Sequence, residues 1–91
     1  MEKIYIKLLG KFGCNNQMII AIEELSELQK ELTKHLRGKG NINHIITEIA
    51  DVEIMLEQLK LMFNCKKEVD QEKNYKVYRT EKLYLCNESE E

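Results

Sequence analysis

The chain has 91 residues, 14 of them lysine or arginine and 16 aspartate or glutamate, and its formal net charge is −2. This balance argues against the basic surface that binds nucleic-acid polymers or anionic membranes, and no apolar run is long enough to span a bilayer. The lack of Pro and Trp, with 33% charged residues, is typical of a helical protein. We expect one cytoplasmic domain over residues 1–91, without a signal peptide and with a frayed acidic tail at 87–91.

The three cysteines predict neither a disulfide framework nor a zinc site. Cys14, Cys65 and Cys86 are odd in number, lie far apart and form no C-x-x-C pair. We interpret them as reduced thiols without a functional role.

The N-terminal segment predicts a short helix followed by a long one. A single strand among the first dozen residues would have no partner strand, so we expect a first helix that ends near Gly10 or Gly13. Asn15 or Asn16 is then the expected N-cap of a second helix over residues 16–36.

The apolar positions of this second helix keep a helical period and predict one packed stripe. They are Met18, Ala21, Ile22, Leu25, Leu28, Leu32 and Leu36. The following segment, residues 37–41, contains two glycines and ends in Asn41, which can cap another helix over 42–63. We therefore expect an antiparallel helical hairpin.

The third helix is apolar nearly all round, which predicts burial on more than one side. Its main stripe consists of Ile45, Ile49, Val52, Leu56 and Leu59. Because so small a chain cannot cover this surface, we expect a homodimer or a dimer of dimers. The predicted fold class is all-α: a hairpin plus flanking helices, with a four-helix-bundle core that oligomerisation completes.

A more polar last helix is expected over residues 68–85, and its apolar positions fit no single face. It carries a row of cations spaced by three, namely Lys73, Lys76, Arg79 and Lys82.

The central feature of the sequence is a pair of matching acidic motifs on the two long helices. Glu24 and Glu27 lie one turn apart, as do Glu48 and Asp51, and Glu31 falls between the first two in angle. Carboxylates within an apolar stripe are costly to desolvate unless they are protonated, paired or bound to a metal. Oxygen ligands without Cys or His favour magnesium or manganese.

His44 lies one turn before Glu48 and is able to contact a phosphate or a metal. A histidine in a first helical turn is more often a partly exposed residue than a ligand of a phosphate or a metal.

These motifs resemble a known family. The sequence Glu23-Glu24-x-x-Glu27, followed after twenty residues by Glu48-x-x-Asp51, is similar to the E-E-x-x-E and E-x-x-D signature of the MazG-like all-α nucleoside triphosphate pyrophosphohydrolases. The flanking residues, Phe12-Gly13 and Asn16-Gln17 among them, add to the resemblance, which covers about residues 8 to 63.

The resemblance implies magnesium-dependent cleavage between the α- and β-phosphates of a nucleotide, in the clearance of unwanted nucleotides, and the oxygen ligands would also accept manganese as a substitute. It implies the magnesium ligands Glu24, Glu27, Glu48 and Asp51. Glu31 is a candidate general base or water-positioning residue. A cationic motif of the family is matched by Asn74-x-Lys76-x-x-Arg79 or, in another register, by Lys82, so these cations are candidate phosphate ligands.

Two other classes of protein stay open. A di-iron carboxylate bundle would need a Glu-x-x-His pair on each of two helices, and neither acidic motif provides one. A catalytically inactive helical oligomer, acting as an interaction or metal-binding module, is the main alternative.

Overall fold

The computed structural model describes residues 1–85, which form four helices and no strand. In chain order these are α1 (Glu2–Phe12), α2 (Cys14–Leu36), α3 (Ile42–Met62) and α4 (Lys66–Tyr84). The predicted all-α class is confirmed. No helix in this part of the chain combines the length and apolar character needed to cross a membrane. Cys86 and the predicted frayed tail at 87–91 lie outside the described residues.

The junction of α1 and α2 corrects the predicted N-cap. α1 ends at Gly13, one of the two expected positions, but α2 begins directly at Cys14. Gly13 has φ +88°, a conformation that turns the chain sharply without a linker. Asn16 therefore lies inside α2, where its Nδ2 donates a hydrogen bond to the carbonyl of Phe12 at 2.7 Å.

The connection between α2 and α3 is a glycine-based helix stop followed by an asparagine cap. Gly38, at φ +76°, donates its N–H to the carbonyl of His35, and the N–H of Lys39 reaches the carbonyl of Lys34 at 2.9 Å. These two bonds form a Schellman motif. The predicted cap on α3 is confirmed, since Asn41 Oδ1 accepts a hydrogen bond from the N–H of Asn43.

We expect Gly40→Ala to lower the free energy of unfolding by about 1–3 kcal/mol, because an L residue would be strained in this backbone conformation. Gly40 has φ +93°, and an added Cβ would lie 3.3 Å from Cβ of Lys34. Urea unfolding measures the change. The matched control is Gly10→Ala, in the open interior of α1, which should instead stabilise by about 0.5–1 kcal/mol. Equal effects of the two substitutions would contradict the prediction.

α2 and α3 pack against each other in antiparallel register, with polar side chains in three layers between them. The cross-helix pairs are Gln17 with Gln58, Glu24 with Asp51, and Glu31 with His44. Successive layers are seven residues apart on each helix, or about 10 Å along the hairpin. We call them the amide layer, the acid layer and the mixed layer, in order from the α1 end toward the 37–41 loop.

The apolar core of a single chain is small, and it lies between α2 and α3. Its buried apolar residues are Ala21, Ile45, Val52 and Met55. The predicted stripes are only partly buried, because Leu25 of α2 and Ile49 and Leu56 of α3 are exposed. α4 has no buried residue and, within residues 1–85, contacts only α3. The Cα radius of gyration is accordingly 17.0 Å, against about 12 Å for a compact chain of this length.

Candidate functional site

The acid layer brings together three carboxylates from the two hairpin helices. Oxygen atoms of Glu24, Glu48 and Asp51 all lie within 4.8 Å of one another, and all three residues are half-buried. Glu48 and Asp51 are one turn apart on α3, so both face α2 at the level of Glu24. The structure therefore brings three of the four predicted metal ligands into one group.

The Glu24 carboxyl is in an environment that disfavours its charge. Burial raises the pKa of Glu24, as do a hydrogen bond shared with Asp51 and the negative charges of Asp51, Glu48 and Glu27. At neutral pH the negative charges of these carboxylates repel one another at close range, and protonation or a bound cation would relieve this repulsion.

The Glu48 carboxyl is also in an environment that disfavours its charged form. Burial raises the pKa of Glu48, with further increases from the charges of Asp51, Glu27 and Glu31, while His44 opposes them. Glu48 Oε2 is buried and has no hydrogen-bond partner within the described part of the chain. A carboxylate oxygen that binds a cation would be buried without a hydrogen-bond donor when no ion is present, as Glu48 Oε2 is. The donor set, oxygen only, fits a hard divalent cation.

Glu27, the fourth predicted ligand, is exposed and lies outside this group of three. Its charge nevertheless acts on both Glu24 and Glu48. Glu27 therefore influences the pKa values of this group although it is not one of its three members.

The mixed layer contains Glu31, which is only 7% exposed. Lys34 Nζ lies 3.3 Å from Glu31 Oε2, and Nδ1 of His44 lies 3.6 Å from Glu31 Oε1. The expectation of an exposed histidine at position 44 is confirmed, since the His44 side chain is 65% exposed, whereas the pairing of Glu31 with Lys34 was not predicted. The sequence contains a signal for the pairing of Glu31 with His44. Glu31 lies seven residues after Glu24 on α2, and His44 lies seven residues before Asp51 on α3, so the two form the next layer of an antiparallel hairpin.

The predicted phosphate-binding cations of α4 are not brought to the acid layer of the same chain. Lys76, Arg79 and Lys82 are all exposed, and α4 has no contact with α2 in the range 1–85. Arg79 stacks over Tyr75, and Lys82 over Tyr78, each with 5.6 Å between its charged group and the ring centroid. Phosphate binding by these residues stays a prediction.

A cavity of about 360 Å³ lies at the junction of α1 and α2. It is lined by Phe12, Asn16, Gln17, Ile19 and Ile20. Ile20 precedes Glu24 by one turn, so the cavity lies beside the acid layer, on the side away from the loop.

We expect Mg²⁺ to raise the melting temperature more at about pH 7.5 than at about pH 4.5. The folded-state pKa values of Glu24 and Glu48 are raised, so their contribution to stability is present below the ordinary carboxyl pKa and is lost as the pH rises through the folded values. The metal-free protein therefore has the greater repulsion to relieve at the higher pH. Thermal unfolding with and without Mg²⁺ measures the difference; a larger Mg²⁺ effect at the lower pH would contradict it.

No family model matches this chain, and neither the curated proteins nor the solved structures contain a match.

Proposed function

We propose that this protein is a magnesium-dependent nucleoside triphosphate pyrophosphohydrolase, which cleaves the α–β phosphate bond to release a nucleoside monophosphate and pyrophosphate. A role in clearing unwanted nucleotides from the cellular pool accompanies this proposal. The observation that carries it is the convergence of the Glu24, Glu48 and Asp51 carboxylates, one of which keeps a buried oxygen without a donor. The resemblance of the acidic motifs to the MazG-like signature supports the same activity.

In this proposal Glu24, Glu48 and Asp51 hold Mg²⁺, or Mn²⁺ in its place, and Glu27 completes the set from the solvent side. A bound divalent cation supplies charge neutralisation of the polyphosphate and activation of water. Without such an ion the carboxylates would repel the substrate. Glu27 is better placed than Glu31 to orient the attacking water, because Glu31 is buried and already paired with Lys34.

The cavity at the α1–α2 junction is the proposed site of the nucleobase. Its wall combines the ring of Phe12 and apolar Ile19 and Ile20 with the amides of Asn16 and Gln17, a mixture that suits a flat heteroaromatic group. It also adjoins the acid layer, so a nucleotide with its base there would extend its phosphates along the hairpin.

We infer further that the active protein is a homodimer or a dimer of dimers. Ile49 and Leu56 are exposed in a single chain, α4 buries no side chain, and the chain is far less compact than its length allows. Pairing of two chains would cover these apolar surfaces in a four-helix core, and the α4 cations would then act across the interface. Sedimentation equilibrium should give a multiple of the 10.8 kDa chain mass; a monomer at micromolar concentration would contradict this inference.

The test of the activity is a panel of canonical and modified nucleoside di- and triphosphates, assayed for pyrophosphate or phosphate release with Mg²⁺. We expect pyrophosphate from at least one triphosphate, and loss of the activity on chelation. Binding of Mg²⁺ without turnover of any nucleotide would instead favour the alternative, an inactive metal-binding module. Failure to bind either metal or nucleotide in calorimetry would favour an interaction module.

A further inference from the structure

The mixed layer holds a buried carboxylate, and the lysine and histidine side chains beside it are partly exposed to solvent. Glu31 is nine-tenths buried, whereas the side chains of Lys34 and His44 are 36% and 65% exposed. Glu31 Oε1 has no hydrogen-bond partner within residues 1–85, and His44 Nδ1 lies 3.6 Å from it, slightly beyond bonding distance. The carboxylate is thus fixed inside the hairpin beside Lys34 and His44, whose exposed side chains are accessible to a ligand in solution.

Glu31, Lys34 and His44 lie close to the acid layer, where a phosphate bound through a metal ion would be. His44 is one turn from Glu48 on α3, and Glu31 is one turn from Glu27 on α2, so about 6 Å separates each pair of neighbours on its helix. The charge of Glu31 contributes to the raised pKa of Glu48 and a protonated His44 opposes it, as expected for groups in neighbouring layers. Arg37 and Lys39 of the loop follow at the same end of the hairpin.

The hairpin therefore changes character along its length, from apolar cavity to acid layer to cationic end. A ligand that matches this order has an apolar or aromatic group, then a metal-binding phosphate, then further anionic phosphates. Lysine and histidine N–H groups are suitable donors to phosphate oxygens, and donors held in place beforehand lose less freedom on binding.

We propose that Lys34 and His44 bind the terminal phosphates of the substrate, the part released as pyrophosphate, and that Glu31 is the positioning residue, which accepts a hydrogen bond from Lys34 and lies 3.6 Å from His44. This proposal rests on the proposed function, and it assigns the substrate a direction, with the base toward Phe12 and the leaving group toward the 37–41 loop. It also provides phosphate ligands from the same chain as the acid layer, independently of the α4 cations.

The test is calorimetric binding of inorganic pyrophosphate in the presence of Mg²⁺, with Mg²⁺ binding alone measured in parallel. We expect Lys34→Gln and His44→Gln each to weaken pyrophosphate binding about tenfold, the effect of one charge-assisted hydrogen bond, and to change Mg²⁺ affinity much less. Both side chains are solvent-facing, so folding should persist, and circular dichroism checks it. Lys7→Gln, an exposed lysine of α1, is the matched control and should bind as the wild type does.

The role of Glu31 is tested by the same measurement made with a nucleoside monophosphate as a second ligand. Glu31→Gln should weaken binding of pyrophosphate but not of the monophosphate, a split that a general loss of structure would not produce. The proposal is overturned if the wild type does not bind pyrophosphate, if the Lys34 and His44 variants bind it normally, or if both ligands weaken equally in Glu31→Gln. Because no turnover is required, these results are distinct from a failure of the proposed function, which is the absence of pyrophosphate release from every nucleotide.

Discussion

Glu48→Gln is expected to reduce Mg²⁺-dependent pyrophosphate release at least about a hundredfold, because a lost metal ligand removes several kcal/mol of transition-state stabilisation at 1.36 kcal/mol per tenfold. The same substitution should raise the melting temperature of the metal-free protein at neutral pH. The pKa of Glu48 is raised in the folded state, so its charged form is destabilising there, and glutamine removes that charge while keeping the shape. Pyrophosphate assays and thermal unfolding in chelator measure the two effects.

The matched control for this substitution is Glu53→Gln, an exposed carboxylate five residues farther along α3. It should alter neither the activity nor the stability appreciably, since surface changes of this kind usually lie within about 0.5 kcal/mol. Normal activity in Glu48→Gln would contradict the proposed metal site. A fall in its metal-free melting temperature would contradict the idea that carboxylate repulsion strains the hairpin. A gain in stability together with a loss of activity is the pattern of a site kept for function at the expense of stability.

Gln58→Leu is expected to lower the free energy of unfolding by about 1–3 kcal/mol, the cost of leaving a buried polar partner unpaired. Gln58 is 1% exposed, and its Oε1 accepts a hydrogen bond from Gln17 Nε2 at 2.7 Å. Gln17 Oε1 is already buried without a partner, so the substitution would leave the whole Gln17 amide unsatisfied. Urea unfolding measures the loss, which is a large fraction of the roughly 5–15 kcal/mol that stabilises a small domain.

The double variant Gln17→Leu/Gln58→Leu should recover most of this loss, because replacing both partners by apolar groups removes the unpaired amide. Gln29→Leu, at an exposed position of α2, serves as the control for adding a leucine. Additive losses in the double variant would show that the amide layer contributes by packing alone. In that case the hydrogen bond between the two glutamines would have no special role in setting the register of the hairpin.

The acid layer was within reach of sequence reasoning because it depends on local spacing. Glu48 and Asp51 must share a face of α3 wherever that helix packs, and the length of the 37–41 loop places them near the level of Glu24. Glu27 lies outside the group of Glu24, Glu48 and Asp51 because of the way α2 is rotated about its own axis. The sequence pattern does not fix this rotation, since a shift of the packed face by one residue would turn Glu27 by about 100°. The incorrect N-cap at Asn15 or Asn16 has a similar origin. Gly13 adopts a positive φ, so α2 begins at the next residue, Cys14. The preference of asparagine for the N-cap position carries no information about this turn.

The amino-acid sequence by itself determined the helices, the hairpin and the two acidic motifs, because each depends on residues within a few turns of one another. Only the tertiary structure decided which side chains meet across the hairpin, that Glu31 is buried beside Lys34 and His44, and that α4, within residues 1–85, contacts only α3. These depend on the antiparallel register of α2 against α3, set by the packing of the whole interface around Ala21, Val52 and Met55. No local pattern contains that register, since it is the combined outcome of contacts between residues 13 to 41 positions apart, such as Glu31 with His44 and Gln17 with Gln58.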